Sequence, residues 1–180
     1  VGEVPVAVKT EGKFKIAALT SIEPEYQLAE AALLEQILKL LGWQTDELDP
    51  AIPPANAYAG NWHFVIAANS KERLDDLSYD FDGLKQLMQA ENITTLQLIW
   101  RESDSVIHSR NPFPIGGVVE DPATGAAAAA LGGYLREAGL IQAPAHISVH
   151  QGVVMGRPSL LEVIIPTSGG ITITGTAVAI

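Results

Sequence analysis

The stretch EDPATGAAAAALGGYL, residues 120–135, sets carboxylates just ahead of five consecutive alanines. Alanine is the best helix former, so residues 126–130 read as helix. Thr124 stands where an N-cap belongs, and Gly125 lets a ligand come close to the backbone. The opening N–H groups of such a helix, on Gly125, Ala126 and Ala127, lack intrahelical partners and carry the positive end of the helix dipole. That suits an anion, a carboxylate above all. Asp121, across Pro122, adds a group that donates or accepts a proton on a bound acid, or holds a polar part of it. Asp, Pro, Thr and Gly ahead of a helix are also ordinary turn and capping residues, so spacing alone leaves both readings open.

Other residues are weaker candidates. Arg157 and Ser159 in GRPS could reach an anionic ligand, although Gly156-Arg157-Pro158 also reads as a bulge or turn feeding a strand. His108, His146 and His150 alternate with apolar residues in strands and lack metal-site spacing, so no metal is expected. His150, beside Gln151-Gly152, is the histidine closest to a candidate role. Arg110 is placed to pair with Glu120 or Asp121 as structural support. GGITITG has no helix after it and does not read as a phosphate loop.

The elements that position these residues follow from pattern. Residues 4–9 and 13–19 read as strands joined by a turn at Glu11-Gly12. Pro24 marks a helix start, and from Tyr26 apolar residues recur at helical spacing as far as Leu41, with Gly42 as the C-terminal cap. DELDPAIPPANAYAGN reads as loop. Residues 62–68 form a strand, Ser70 caps a short helix through Leu77, and residues 82–91 form another. Residues 94–101 and 105–110 are strands, the alanine helix ends near Gly139, and everything from Ala145 on, QGVVMG included, has strand pattern. Leu131, Tyr134, Leu135 and Ala138 make an apolar stripe, and small residues cover much of the remaining surface. Gly132 and Gly133 each cost about 1 kcal/mol in a helix interior, which suggests that another backbone comes close there. A central helix wrapped by sheet follows, in an α+β fold whose largely antiparallel sheet is curled around that helix.

Bulk properties exclude several classes. The chain has 180 residues, 47% of them hydrophobic, with 11 basic against 21 acidic side chains and a formal charge of −10. No basic stripe exists for nucleic acid, and no apolar run reaches the roughly 18 residues that span a bilayer. Without cysteine there is no disulfide, thiolate metal site or cysteine acid/base pair. With no secretory signal visible, a cytoplasmic protein is the expectation. The chain opens on a strand-like pattern without an initiator methionine, which fits trimming or a start inside a larger protein.

SRNPFPIGGVVEDPATGAAAAALGGYL followed by QGVVMGRPS resembles the phenazine-biosynthesis isomerase-like (PhzF-like) family, which shares the diaminopimelate-epimerase fold. The resemblance runs over residues 1–180 and corresponds to the C-terminal part of such proteins. It implies two similar domains, each a sheet curled around a helix, with the active site between them. On that view residues 1–20 are a hairpin left from a mostly missing first domain, and residues 21–180 are the C-terminal epimerase-like domain. The resemblance further implies a cofactor-free isomerase of a small carboxylate substrate. Its principal acid/base would be a first-domain glutamate, helped by a histidine in a Gly-His motif. Asp121 would be the catalytic residue from this domain, with Thr124 and the Gly125 and Ala126 amides on the substrate.

Two departures stand out. The family often has serine where this chain has Ala126, and neither the glutamate motif nor the Gly-His motif has a counterpart; His63 follows Trp62, not glycine. The expectations are therefore a chain without turnover alone, a partner in the form of a missing N-terminal domain or a second chain, and a possible homodimer. The alternative is a non-catalytic anion-binding or interaction module.

Overall fold

The computed structural model describes residues 6–11 and 14–177. The chain runs β1 (Val6–Glu11), β2 (Phe14–Thr20), β3 (Glu25–Leu28), α1 (Ala31–Leu41), β4 (Ala55–Tyr58), β5 (Trp62–Ala67), α2 (Lys71–Asp75), α3 (Phe81–Ala90), β6 (Thr95–Arg101), β7 (Val106–Phe113), β8 (Val118–Asp121), α4 (Gly125–Glu137), β9 (Ala145–Gln151), β10 (Ser159–Ile165) and β11 (Thr172–Ala177). One sheet holds the strands in the order β1-β2-β11-β10-β9-β7-β6-β5-β4-β3, and β8 adds to β7. Only β5–β6 and β7–β9 are parallel joins among the described strands. A parallel join needs a crossover, supplied by α2 and α3 in the first case and by β8 and α4 in the second.

Strand alternation splits the interior in two. On β5, Val65 and Ala67 face the core around α4, while Phe64 and Ile66 face the core under α1 and α3. The sheet curls around α4, as the sequence leads one to expect: every residue from Ala127 to Leu135 is buried, and β3, β4, β5, β6, β10 and β11 all pack on it. Tyr134 anchors the helix by donating its hydroxyl to Pro53 O and by setting its ring against Tyr26. No helix among the described residues is long and apolar enough to cross a membrane.

Four expectations need correction. Residues 25–28 are not the start of the first helix but a strand, because β4 offers a ladder from Glu25↔Tyr58 to Leu28↔Ala55. The segment read as loop contains β4, whose Ala55 and Ala57 are buried under small-residue packing. QGVVMG stops being strand at Gln151: Gly152 (φ 74°) and Gly156 (φ 70°) turn the chain in the left-handed region. The close neighbours of the helix glycines are side chains and not backbone. A Cβ on Gly133 would lie 2.3 Å from Pro24 Cβ, and one on Gly132 would lie 3.0 Å from Val163 Cγ1. The strand β8 was not visible in the pattern, and β7 continues beyond Arg110 to Phe113. The β1–β2 pairing is present, although Gly12 of its expected turn lies outside the described residues.

Helix propensity favours Gly133→Ala by about 1 kcal/mol, but the new methyl collides with the Pro24 ring. Overpacking of this kind costs about 1–3 kcal/mol. Gly133→Ala should therefore lower the urea midpoint, whereas an unchanged or raised midpoint would show that Pro24 yields freely.

Candidate functional site

Asp121 is the last residue of β8, and its placement begins with its neighbour. Arg110 forks onto Glu120, Nε to Oε1 at 3.0 Å and Nη2 to Oε2 at 2.6 Å, and its Nη1 donates to Asp75 O at 2.7 Å. The Glu120 side chain is only 4% exposed, so this charge-assisted pair fixes β8 against β7. Tyr79 adds a hydroxyl hydrogen bond to Val119 O, and burial with the nearby Glu120 charge pushes its pKa up to about 12. With Arg110 committed to Glu120, the Asp121 carboxylate is left to the turn that follows it.

There Asp121 Oδ2 accepts the Thr124 hydroxyl at 2.8 Å, and Oδ1 accepts the Ala123 N–H at 3.3 Å. Thr124 occupies the N-cap position of α4, yet its side chain caps nothing; it points back to Asp121. Gln151, at the end of β9 and fully buried, closes the turn from behind. Its Oε1 accepts the Thr124 N–H at 3.2 Å, while Nε2 donates to Asp121 O at 2.7 Å and to Thr124 Oγ1 at 2.9 Å. The first intrahelical bond of α4 is Ala128 N–H to Thr124 O, so the Gly125, Ala126 and Ala127 amides precede the ladder and meet no acceptor among the described residues. A Cβ on Gly125 would lie 3.4 Å from Leu19 Cδ2 and 3.8 Å from Ile173 Cγ2, so the α-carbon of this glycine faces β2 and β11 at ordinary contact distance.

The sequence candidates thus fall into groups. Asp121, Thr124, Gly125 and Ala126 come together in one turn, all partly exposed. Arg157 is exposed and its backbone N–H donates to Gly152 O, which is the turn reading. Ser159 opens β10 opposite Gln151. His150 stacks on His108 at 5.2 Å, His108 Nε2 meets Glu102 at 2.6 Å, and His146 meets Glu162 at 2.8 Å. No group of three or more His, Cys, Asp or Glu side chains among the described residues could hold a metal ion. Clefts of about 380, 680 and 320 Å³ lie elsewhere, and none is lined by the Asp121 turn. The turn instead opens outward on a chain whose β8 and β9–β10 loop leave Val118, Val119, Val153 and Val154 about half exposed or more (47%, 64%, 50% and 50%).

Sequence reasoning passed over Gln151 and a buried polar set beside it. His63, Thr95, Gln97, Ser109 and Asn111 are all at most 3% exposed. His63 Nδ1 lies 2.8 Å from Thr95 Oγ1, Ser109 donates to Asn111 Oδ1 at 2.8 Å, and Asn111 Nδ2 donates to Gln97 Oε1. Register ties this set to the site: Asn111 pairs with Asp121, and Ser109 with Gln151. The available signal was a polar residue at every second position of strands otherwise apolar on that face, as in TLQLI.

The curled, mainly antiparallel sheet around a small-residue helix is a fold that this chain shares with the solved structures described below. The chain belongs to the phenazine biosynthesis-like family (PhzC-PhzF), whose sequence profile matches residues 1–180. It is 34% identical over 153 residues to the uncharacterized isomerase YfhB of Bacillus subtilis, covering 80% of this chain and 51% of that protein. It is 26% identical over 152 residues to the uncharacterized isomerase YddE of Escherichia coli, covering 79% and 50%. Among solved structures, an epimerase-designated protein of Pseudomonas aeruginosa superposes with a TM-score of 0.81 at 23% identity, over 96% of this chain and 59% of that one. A hydroxyproline epimerase of Agrobacterium vitis shares the fold at a TM-score of 0.59 and 12% identity, over 98% and 54%. The chain spans about half the length of the curated relatives it matches.

Burial of His63 lowers its pKa from 6.5 to about 4, so it stays neutral in the fold where the unfolded chain would be protonated. Stability from this group is complete above about pH 6.5 and is lost as pH falls toward 4, by up to about 3 kcal/mol. Urea unfolding between pH 4 and 7 should show that slope, and His63→Gln should flatten it; equal slopes would assign the acid sensitivity to other groups.

Proposed function

We propose that this chain forms one wall of the active site of a cofactor-independent isomerase acting on a small carboxylate. The carrying observation is the meeting, in one solvent-facing turn, of the Asp121 carboxylate with the unmet amides of Gly125 and Ala126. The amides bind the substrate carboxylate and steady negative charge that develops during proton removal. Asp121 holds or protonates the substrate, and Thr124 keeps Asp121 in place. Membership in a family whose relatives are named isomerases supports the reaction class.

The opposite wall, with the principal acid/base, comes from an N-terminal domain or from a second chain. Support lies in the surroundings of Asp121: its side chain meets only the Ala123 N–H and the Thr124 hydroxyl among the described residues, and no second titratable group. The exposed valines beside the turn suit coverage by such a wall. On this reading residues 1–20 are the end of the first domain, and residues 21–180 the second.

The same lack of an opposing acid or base favours the second reading, an anion-binding module without chemistry. Solvent-deuterium exchange into candidate carboxylic acids separates the two. The 180-residue chain alone should exchange nothing, whereas the protein completed by its glutamate-bearing domain should exchange, with at least a hundredfold loss in Asp121→Asn. Exchange by the isolated chain that ignores Asp121→Asn would defeat the assignment, and silence of the completed protein would favour the binding module.

A further inference from the structure

We propose that Gln151 is a positioning residue: it fixes where the Asp121 carboxylate stands relative to the free amides of α4, and in which direction hydrogens run through the turn. This rests on the reading of Asp121 given above.

Gln151 is fully buried, and burying an amide is unfavourable unless its polar atoms find partners. All its side-chain partners among the described residues belong to the Asp121–Thr124 turn. Its orientation is determined by one of them. The Thr124 backbone N–H can only donate, so the atom facing it at 3.2 Å is Oε1, and Nε2 faces the other way. Nε2 then donates to Asp121 O at 2.7 Å and Thr124 Oγ1 at 2.9 Å. With that donor on one side, the Thr124 hydroxyl turns its own hydrogen to Asp121 Oδ2 at 2.8 Å. The order Gln151 to Thr124 to Asp121 is thereby set, and Asp121 is an acceptor at its Thr124 side.

Gly152 brings Gln151 into reach. At φ 74° it turns the chain directly under Pro122, where a Cβ would lie 2.9 Å from Pro122 O and 2.3 Å from Arg157 O. The end of β9 is therefore pressed against the turn on both its side-chain and its backbone side. Gln97 is a useful contrast: it is equally buried, but it meets Asn111 and not the turn.

Solution NMR on the 180-residue chain tests this with wild type, Gln151→Met and Gln97→Met, using the Asp121 side-chain couplings, Thr124 amide exchange and acetate-induced shifts at Gly125 and Ala126. Wild type and Gln97→Met should hold Asp121 in one rotamer. Gln151→Met should average it, speed Thr124 amide exchange at least tenfold and weaken the acetate response severalfold. A folded Gln151→Met with Asp121 still in one rotamer and Thr124 still protected overturns the proposal, as does an equal loss in Gln97→Met, which would mark a merely structural effect. Should Gln151→Met not fold, Thr124→Val must free Asp121 while Thr124→Ser keeps it; equal behaviour of the two overturns the relay. If wild type shows no acetate response but Gln151→Met still frees Asp121, the positioning role stands and the carboxylate-site reading falls.

Discussion

The whole arrangement depends on a helix thin enough to be enclosed. Nine successive residues of α4, Ala127 to Leu135, are buried, which leaves the helix no water-facing side along that length. Alanines and glycines make that possible: a Cβ on Gly132 would crowd Val163, Ile165 and Ile171 at 3.0–3.3 Å, and one on Gly133 would clash with Pro24 at 2.3 Å. A helix so enclosed has its backbone polarity satisfied along its length, and its unmet N–H groups lie where its ladder begins. The same small side chains that let the sheet curl around α4 therefore leave its opening amides beside the Asp121 turn.

Around that turn the protein combines stiffness with openness. Arg110 and Glu120 clamp β8, Gln151 and Gly152 clamp the turn, and the buried set from His63 to Asn111 lines the strands next to both. The surface beyond is apolar and uncovered at Val118, Val119, Val153 and Val154. On the proposed function, such a turn, held from behind and bare in front, suits one wall of a cleft, because its groups would keep their geometry while the other wall meets them. Polar hydrogen bonding supplies the stiffness where alanine-sized packing cannot.

The sequence disclosed the central helix, the mainly antiparallel sheet and the cluster of Asp121, Thr124, Gly125 and Ala126, since these rest on local composition and on helix ends. It misled where pairing across the sheet decided the outcome. Leu28 has helical spacing to Leu41 but lies in β3, and Ala55-Asn56-Ala57-Tyr58 has loop-like composition but is a strand between two others. Gln151 was overlooked for the same reason. Nothing local distinguishes a glutamine at a strand end from a solvated one; its partners sit about thirty residues earlier in the chain and meet it only after β7 and β9 pair in parallel. Thr124 shows the limit in the other direction: its position was legible, but the donor that turned it away from capping was not.

The sheet order has a consequence for biogenesis. Strand β2 lies between β1 and β11, and Thr20 meets Thr172 across a separation of 152 residues. During synthesis β2 can complete its pairing only after β11 has been made, some 152 residues further along the chain. Contacts of such range form slowly and leave strand edges bare meanwhile. A nascent chain that lacks β11 therefore exposes the edge of β2 that β11 covers in the folded sheet.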